Sequence, residues 1–229
     1  TMAKFRFEVW PSEHRVITQH FGMRPEVYAK FGLPGHEGID IKAPVGGRIF
    51  CVAPGTVRAV HRDLQHPYGL HVRVDHDPKY QTIYAHLSAT DLSDGQALAA
   101  GDLIGLAGET GNAVGAHLHL TLKRQGTTYR NYPNNIIDPT RFLMPLLDPN
   151  WDDATFVRDS VPDGTIVQPG ASIEQTWWLH NSGASTWGEG YALARVGGEW
   201  PGAPERLPLP PAPPEAEVPV TGRLPIPPT

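Results

Sequence analysis

The stretch AHLHLTLKR, residues 116–124, decides the fold. In an extended chain Leu118, Leu120 and Leu122 point one way, while His117, His119, Thr121 and Lys123 point the other. A helix would scatter these residues over all its faces, so the segment reads as a half-buried strand. Its neighbours repeat the pattern. LHVRVDHD sets Val72 and Val74 against His71, Arg73 and Asp75, which makes His71 a solvated strand residue. QTIYAHLS sets Ile83, Ala85 and Leu87 against Tyr84 and His86. GGRIFCVAPGTVRAVH holds two β-rich runs, Arg48 to Val52 and Thr56 to Val60, joined at Pro54-Gly55. Short strands punctuated by glycine turns predict an all-β, antiparallel, two-layer domain from about Val16 to Leu122.

Residues 123–150 read as a connector with one short helix candidate, Pro139 to Leu146. A second β-rich unit follows. TFVRD, IEQTWWLHN and YALARV read as strands separated by PDGT, PGAS and NSGAST turns. The spacing suits a sandwich. Only about four strands precede the proline-rich end, fewer than the roughly seven a sandwich needs, so this unit is expected to be a truncated β-sandwich. Eleven of the 24 prolines fall in residues 201–229, which predicts an extended end poor in sheet pairing. The alternative is a pair of edge strands split by proline turns. The expected division is residues 1–147 and 148–229.

Composition narrows the function. The 229 residues carry a formal charge of −5, and no stretch is rich in Lys and Arg, which argues against nucleic acid as a partner. No apolar run approaches the roughly 20 residues of a membrane span. Cys51 is the one cysteine, so neither an internal disulfide nor a thiolate zinc site is available. The first residues, TMAKFRFEVW, lack the apolar region of a secretion signal, and a Thr ahead of a Met suggests a cut or cloning remnant. Localisation is therefore not legible at this end.

The chemistry lies among eleven histidines. His14, His20, His61, His66, His76 and His180 stand without an obvious partner and read as surface or packing residues. Three segments stand out. GHEGIDIKAP, residues 35–44, offers His36 and Asp40, both metal-ligand types. It begins like the zincin H-E-x-x-H, but position 40 is Asp, and the glycines, isoleucines and Pro44 oppose the helix that pattern needs. Glu37 is therefore not a zincin-type general base. In a loop entering a strand, His36 and Asp40 either converge on one ion or sit in a polar turn. GAHLHL, residues 115–120, places two imidazoles on one strand face, about 6 to 7 Å apart by strand rise. Ligands of one zinc sit nearer about 3 to 3.5 Å apart. Either both histidines lean together onto an ion, or one ligates while the other faces the reacting group, or both are exposed. YAHLS, residues 84–88, adds His86, with Tyr84 on the same face as a candidate supporting donor.

Together, G-H-x-G-x-D, Y-A-H-L and G-x-H-L-H resemble the M23 zinc metallopeptidases of lysostaphin or LytM type. The resemblance runs from about Val16, through ITQHFGMR, IKAPVGGRI, VAPGTVRAV and GDLIGLAGETGNAVGAHLH, to Asp138-Pro139, about half the chain. Ala116 departs from the proline many relatives carry before H-x-H, and PEVYAKFGLPG is an individual loop able to reshape a substrate groove. The resemblance implies that His36, Asp40 and His119 are the metal ligands and that His86 and His117 are the catalytic pair. It implies one Zn2+ per chain, with the fourth tetrahedral position left for a water of pKa lowered towards about 7. That water would attack a peptide carbonyl, the two histidines moving protons and stabilising the oxyanion. The implied substrates are peptidoglycan stem or cross-link peptides, often cut at glycine-containing bonds, and the implied location is extracytoplasmic or in the cell wall. The glycines from Gly108 to Gly115 would suit a narrow groove, although tight turns alone explain them.

Residues 154–209 resemble the tryptophan-rich Ig-like domain of the autophagy receptor next-to-BRCA1. Trp177 or Trp178, with Trp187, match T-W-x-L-x-N-x-G-x-x-x-W. The role this implies is binding or spacing of a protein or wall partner, and the tryptophans are expected to fill a sandwich core. The competing function is a catalytically silent wall- or peptide-binding module of the same fold. A lipoyl- or biotinyl-type carrier is excluded because neither Ala53-Pro54-Gly55 nor Gly108-Glu109-Thr110-Gly111 offers a lysine at its tip. The glycine run is not a phosphate loop, since no Gly-Lys-Ser/Thr follows it.

Overall fold

A computed structural model describes residues 5–77, 79–162, 164–196 and 200–228. The chain divides into two compact units, Thr1–Leu147 and Asp148–Thr229. Asp163, inside the expected PDGT turn, lies outside the described residues.

In the first unit the strands are β1 (Ile17–Gln19), β2 (Ile39–Lys42), β3 (Arg48–Phe50), β4 (Gly55–His61), β5 (Leu70–Asp75), β6 (Tyr80–Ala89), β7 (Ala97–Leu98), β8 (Leu103–Ala107), β9 (His117–Arg124) and β10 (Ile136–Ile137). The main row runs β1-β2-β9-β6-β5-β4-β7, antiparallel throughout, and β8 pairs with both β6 and β3. The alternation of AHLHLTLKR is realised. Leu118, Leu120 and Leu122 are fully buried and share a core with Ile39, Ile41, Val72, Val74, Leu87, Ile49 and Ile104. Each such side chain taken from water contributes about 1.5–3 kcal/mol. The opposite face of the same strands carries the histidines. The short helix α1 (Pro25–Tyr28) lies in the individual loop, and α2 (Thr140–Leu143), continued by a tighter turn through Leu146, falls within the expected helix.

Two sequence expectations fail on this sheet. His71 is fully buried rather than solvated. Its Nδ1–H donates to Gly69 O at 2.8 Å, and its ring stacks on His61 with centroids 4.4 Å apart. Tyr68 packs edge-on against it, so side chains from the turn cover a face that alternation assigns to water. Tyr84 does not share a face with His86. It is fully buried in the core, and Val52 N–H donates to its Oη at 2.9 Å. The reason is a bulge. Tyr84 pairs with Val72 but Leu87 pairs with Leu70, so Ala85 and His86 together oppose His71. His86 takes φ +62°, which turns its side chain to the face Ala85 occupies.

The second unit contains β11 (Ala154–Asp159), β12 (Ser172–Asn181), β13 (Ala192–Ala194), β14 (Arg206–Pro208) and β15 (Glu217–Pro225). β11-β12-β15 form one sheet and β13-β14 another. The proline-rich end is therefore not poor in pairing. β15 pairs with β12 in continuous register from Glu217 to Pro225. Among the described residues β15 is an edge strand, where proline's missing N–H is tolerated, which favours the edge-strand alternative. Trp187 fills the core with Leu179, Ala212, Val218 and Val220. Trp177 and Trp178 do not. Both are half-buried, and Arg158 lies 4.3 Å over the ring of Trp178.

Candidate metal centre

Pairing of β2 with β9 puts Asp40 directly opposite His119, and pairing of β6 with β9 puts Ala85 opposite His119 on the other side. One strand face therefore collects Asp40, His117 and His119, the bulge adds His86, and the loop entering β2 brings in His36. The His36 Nε2 atom lies 2.9 Å from His119 Nδ1 and 3.1 Å from Asp40 Oδ1, and His119 Nδ1 lies 3.0 Å from the same oxygen. These three are the metal-capable group among the described residues. A tetrahedral zinc with bonds of about 2.0–2.1 Å would set its ligand atoms about 3.3 Å apart. The triangle needs to open by only a few tenths of an ångström, so two imidazoles and one carboxylate fit a zinc ion in both donor type and spacing.

The close approach has a local cause. At Gly38 a Cβ would stand 2.5 Å from Leu120 O and 2.9 Å from His119 Cε1 and Nε2. Only glycine lets the β2 entry pass so near the His119 ring.

His36, His86 and His117 are oriented by backbone carbonyls. Their Nδ1–H groups donate to His20 O at 3.1 Å, Thr110 O at 2.8 Å and Gly115 O at 2.8 Å. Each Nε2 is thereby left as a lone pair. His119 instead presents Nδ1 to the triangle and meets Thr121 Oγ1 through Nε2 at 3.0 Å. His86 and His117 stand beside the triangle, with ring centroids 4.9 Å apart, and His117 Nε2 is 3.6 Å from Asp40 Oδ1. His86 is held by the turn as well as by its own strand: its N–H donates to Tyr68 O at 2.9 Å, and the Thr110 hydroxyl donates to Leu87 O at 2.8 Å.

Electrostatics follow from burial and crowding. Burial pushes the Asp40 carboxyl up, but hydrogen bonds and charge from His119 and His36 outweigh it and hold the group well below the usual carboxylate range. Burial, reinforced by His119 nearby, pushes His86 down to about 3, so its ring is neutral at physiological pH. Burial also pushes Tyr28, whose ring packs on His36, up to about 12. The Gln19 side-chain amide donates to Tyr28 Oη at 2.8 Å.

The five residues singled out from sequence lie together. The remaining histidines lie elsewhere: His76, for example, bonds Pro54 O and Thr82 Oγ1, a packing role. Glu37 is outside the metal-capable group. The sequence reading missed Tyr28, Tyr68 and Thr121. Thr121 carried a signal, being two residues beyond His119 on the same strand face. The two tyrosines, in loops without periodicity, carried none.

Residues 34–131 match the sequence profile of peptidase family M23, and residues 160–229 match the Ig-like domain from next to BRCA1. The peptidoglycan DD-endopeptidase ShyB of Vibrio cholerae is 33% identical over 107 residues, 46% of this chain and 24% of that protein. The uncharacterized lipoprotein YgeR of Escherichia coli is 34% identical over 137 residues, 60% of this chain and 47% of that one. A crystal structure of a zinc-containing peptidase from Vibrio cholerae aligns with TM-score 0.48 at 29% identity, covering 58% of this chain and 39% of that one. The chain thus spans less than half the length of these relatives. Residues 34–131, within the first unit, are thus similar to peptidase family M23.

Proposed function

We propose that the chain is a zinc-dependent endopeptidase that hydrolyses peptide bonds of peptidoglycan stem or cross-link peptides. His36, Asp40 and His119 hold the metal, one per chain, and His86 and His117 are the catalytic pair. The observation that carries this reading is the arrangement of nitrogens. Two neutral-capable imidazoles and a carboxylate converge within 3.1 Å of one another, flanked by two more rings whose Nδ1 protons are committed to carbonyls.

Bound zinc would acidify a water and polarise the scissile carbonyl. The chain's own residues do the rest. His117 Nε2, at the rim of the ligand triangle, can accept a proton from the attacking water and return it to the leaving amine. His86 enters neutral and offers its Nε2 lone pair, which orients the water's O–H, while its Nδ1–H bond to Thr110 O fixes the ring plane. Asp40, held ionised, offsets the charge His117 gains on protonation. The peptidoglycan substrate is taken from the function named for the ShyB relative, and such a substrate supports an extracytoplasmic location. The Ig-like unit serves to bind or space a protein or wall partner. No helix among the described residues is long and apolar enough to cross a membrane.

Mass spectrometry of purified peptidoglycan incubated with the chain tests this. New amino termini should appear, disappear with a chelator and return with zinc. His36→Ala, Asp40→Ala and His119→Ala should lose metal, whereas His117→Ala should keep it and lose at least about 100-fold in turnover. Normal zinc content in the three ligand variants would overturn the metal assignment. Intact peptide after long incubation with tight binding would favour a silent binding module instead.

A further inference from the structure

The bulge that turns His86 into the site is built around one side chain from another loop. The register places Leu70 of β5 opposite Leu87 of β6, immediately past the bulge. The Thr110 hydroxyl stands between the N–H of the first and the carbonyl of the second. Leu70 N–H donates to Thr110 Oγ1 at 3.0 Å, and that hydroxyl donates to Leu87 O at 2.8 Å. A hydroxyl accepts and donates at once, so it can bridge two strands where a ladder opens. The same residue meets His86 in a second way. His86 Nδ1–H donates to the Thr110 carbonyl at 2.8 Å, and a carbonyl only accepts, so this contact fixes the tautomer. Thr110 lies between β8 and β9, in no strand of its own. Its loop is seated by a close interlock with the turn before β5. At Gly69 a Cβ would stand 2.4 Å from Thr110 C and Oγ1, and at Gly111 a Cβ would stand 2.3 Å from Gly69 N. Asn112 N–H donates to Pro67 O at 2.9 Å across the same seam.

We propose that Thr110 is the positioning residue for His86. Its hydroxyl holds the β5–β6 bulge open and so sets the direction of the side chain. Its carbonyl sets the ring plane and leaves Nε2 as the lone pair. Without the hydroxyl, Leu70 N–H and Leu87 C=O face each other unbridged, and a direct bond between them would close the bulge and carry His86 out of the site. The proposal rests on the reading of His86 as one of the catalytic pair for its effect on turnover, but bulge and tautomer are properties of the metal-free chain. It also separates the two histidines. His117 is oriented by Gly115, two residues before it, whereas His86 depends on a loop 24 residues away.

The test uses the full chain with Thr110→Val, similar in shape but without the hydroxyl, and Thr110→Ser, which keeps it. Turnover on purified peptidoglycan should fall about 10- to 100-fold in Thr110→Val, with zinc affinity unchanged because no metal-capable residue is touched. Thr110→Ser should recover most of the loss. In a His86→Ala background Thr110→Val should cost nothing further, because it acts through that ring. Nitrogen-15 NMR of the metal-free chain should find His86 as Nδ1–H in the unaltered protein and in Thr110→Ser, and as a mixture in Thr110→Val. A role confined to packing would not move this signature. Thermal midpoints verify that the variants fold. Full turnover in Thr110→Val, equal losses in the valine and serine variants, a further loss in the His86→Ala background, or zinc affinity that falls with turnover overturns the proposal. So does an Nε2–H tautomer at His86 in the unaltered chain, a result that needs no variant to fold. Absence of cleavage by the unaltered chain would overturn the endopeptidase reading, and the NMR comparison would still decide the role of Thr110.

Discussion

At the scale of single residues, His86 best illustrates how backbone geometry makes a site. Left-handed φ costs a non-glycine residue about 1–2 kcal/mol, and His86 holds φ +62°. The cost is offset by its N–H bond to Tyr68 O and its ring bond to Thr110 O. The strain belongs to the main chain and the proposed catalytic role to the ring, so substitutions can separate them. His86→Gly should be more stable than His86→Ala by about 1 kcal/mol, the reverse of the usual ranking in strands, while both lose turnover. Denaturant titrations of the two variants measure the difference. An alanine variant as stable as the glycine one would mean the bulge carries no strain. The same residue marks a limit of sequence reading. Strict alternation assigns His86 and Tyr84 to one face, because nothing in YAHL announces an extra residue in the ladder. His36, Asp40, His117 and His119 were legible because their spacings, x-x-x and x, need only a loop entering a strand and one regular strand. Tyr68 was illegible because a turn has no period to place it.

At the scale of elements, the centre depends on how closely β2 enters beside β9. Antiparallel register alone puts Asp40 opposite His119, but it does not bring His36 within 2.9 Å of His119 Nδ1. That requires the chain at Gly38 to pass against the Leu120 carbonyl and the His119 ring. Gly38→Ala leaves His36, Asp40 and His119 unaltered and adds one methyl group where backbone and ring atoms already stand at 2.5 and 2.9 Å. The backbone must move, and the metal-capable triangle moves with it. Zinc affinity should fall at least about 10-fold, with a stability loss of about 1–3 kcal/mol from overpacking. Zinc titration of the folded variant measures the first effect. Wild-type affinity in Gly38→Ala would show that the entry has slack. The second unit teaches the complementary lesson about elements. Proline density predicted a chain end poor in pairing, yet β15 pairs with β12 from Glu217 to Pro225. Proline forbids ladder bonds only where its nitrogen faces a partner, so an edge position makes its composition a poor guide to pairing.

At the scale of the whole molecule, the two units have separate cores. One centres on Leu118, Leu120, Tyr84 and Ile104, the other on Trp187, Leu179 and Val220. Each core is built from residues of its own unit, so each unit has what it needs to unfold as a cooperative body. The metal-capable group lies wholly within Thr1–Leu147. A ligand that binds only the folded form of one unit stabilises that unit by RT ln(1 + [L]/Kd), about 2.7 kcal/mol when free zinc is about 100 times Kd. For a domain of about 150 residues this corresponds to a rise of about 5–10 °C in the midpoint. Calorimetry of the full chain should therefore resolve two transitions, of which zinc raises one and leaves the other unmoved. Asp40→Ala should abolish that rise without shifting the second transition. A single transition that zinc raises as a whole would instead mean that the units unfold together, and that the Ig-like unit takes part in the stability of the metal-binding one.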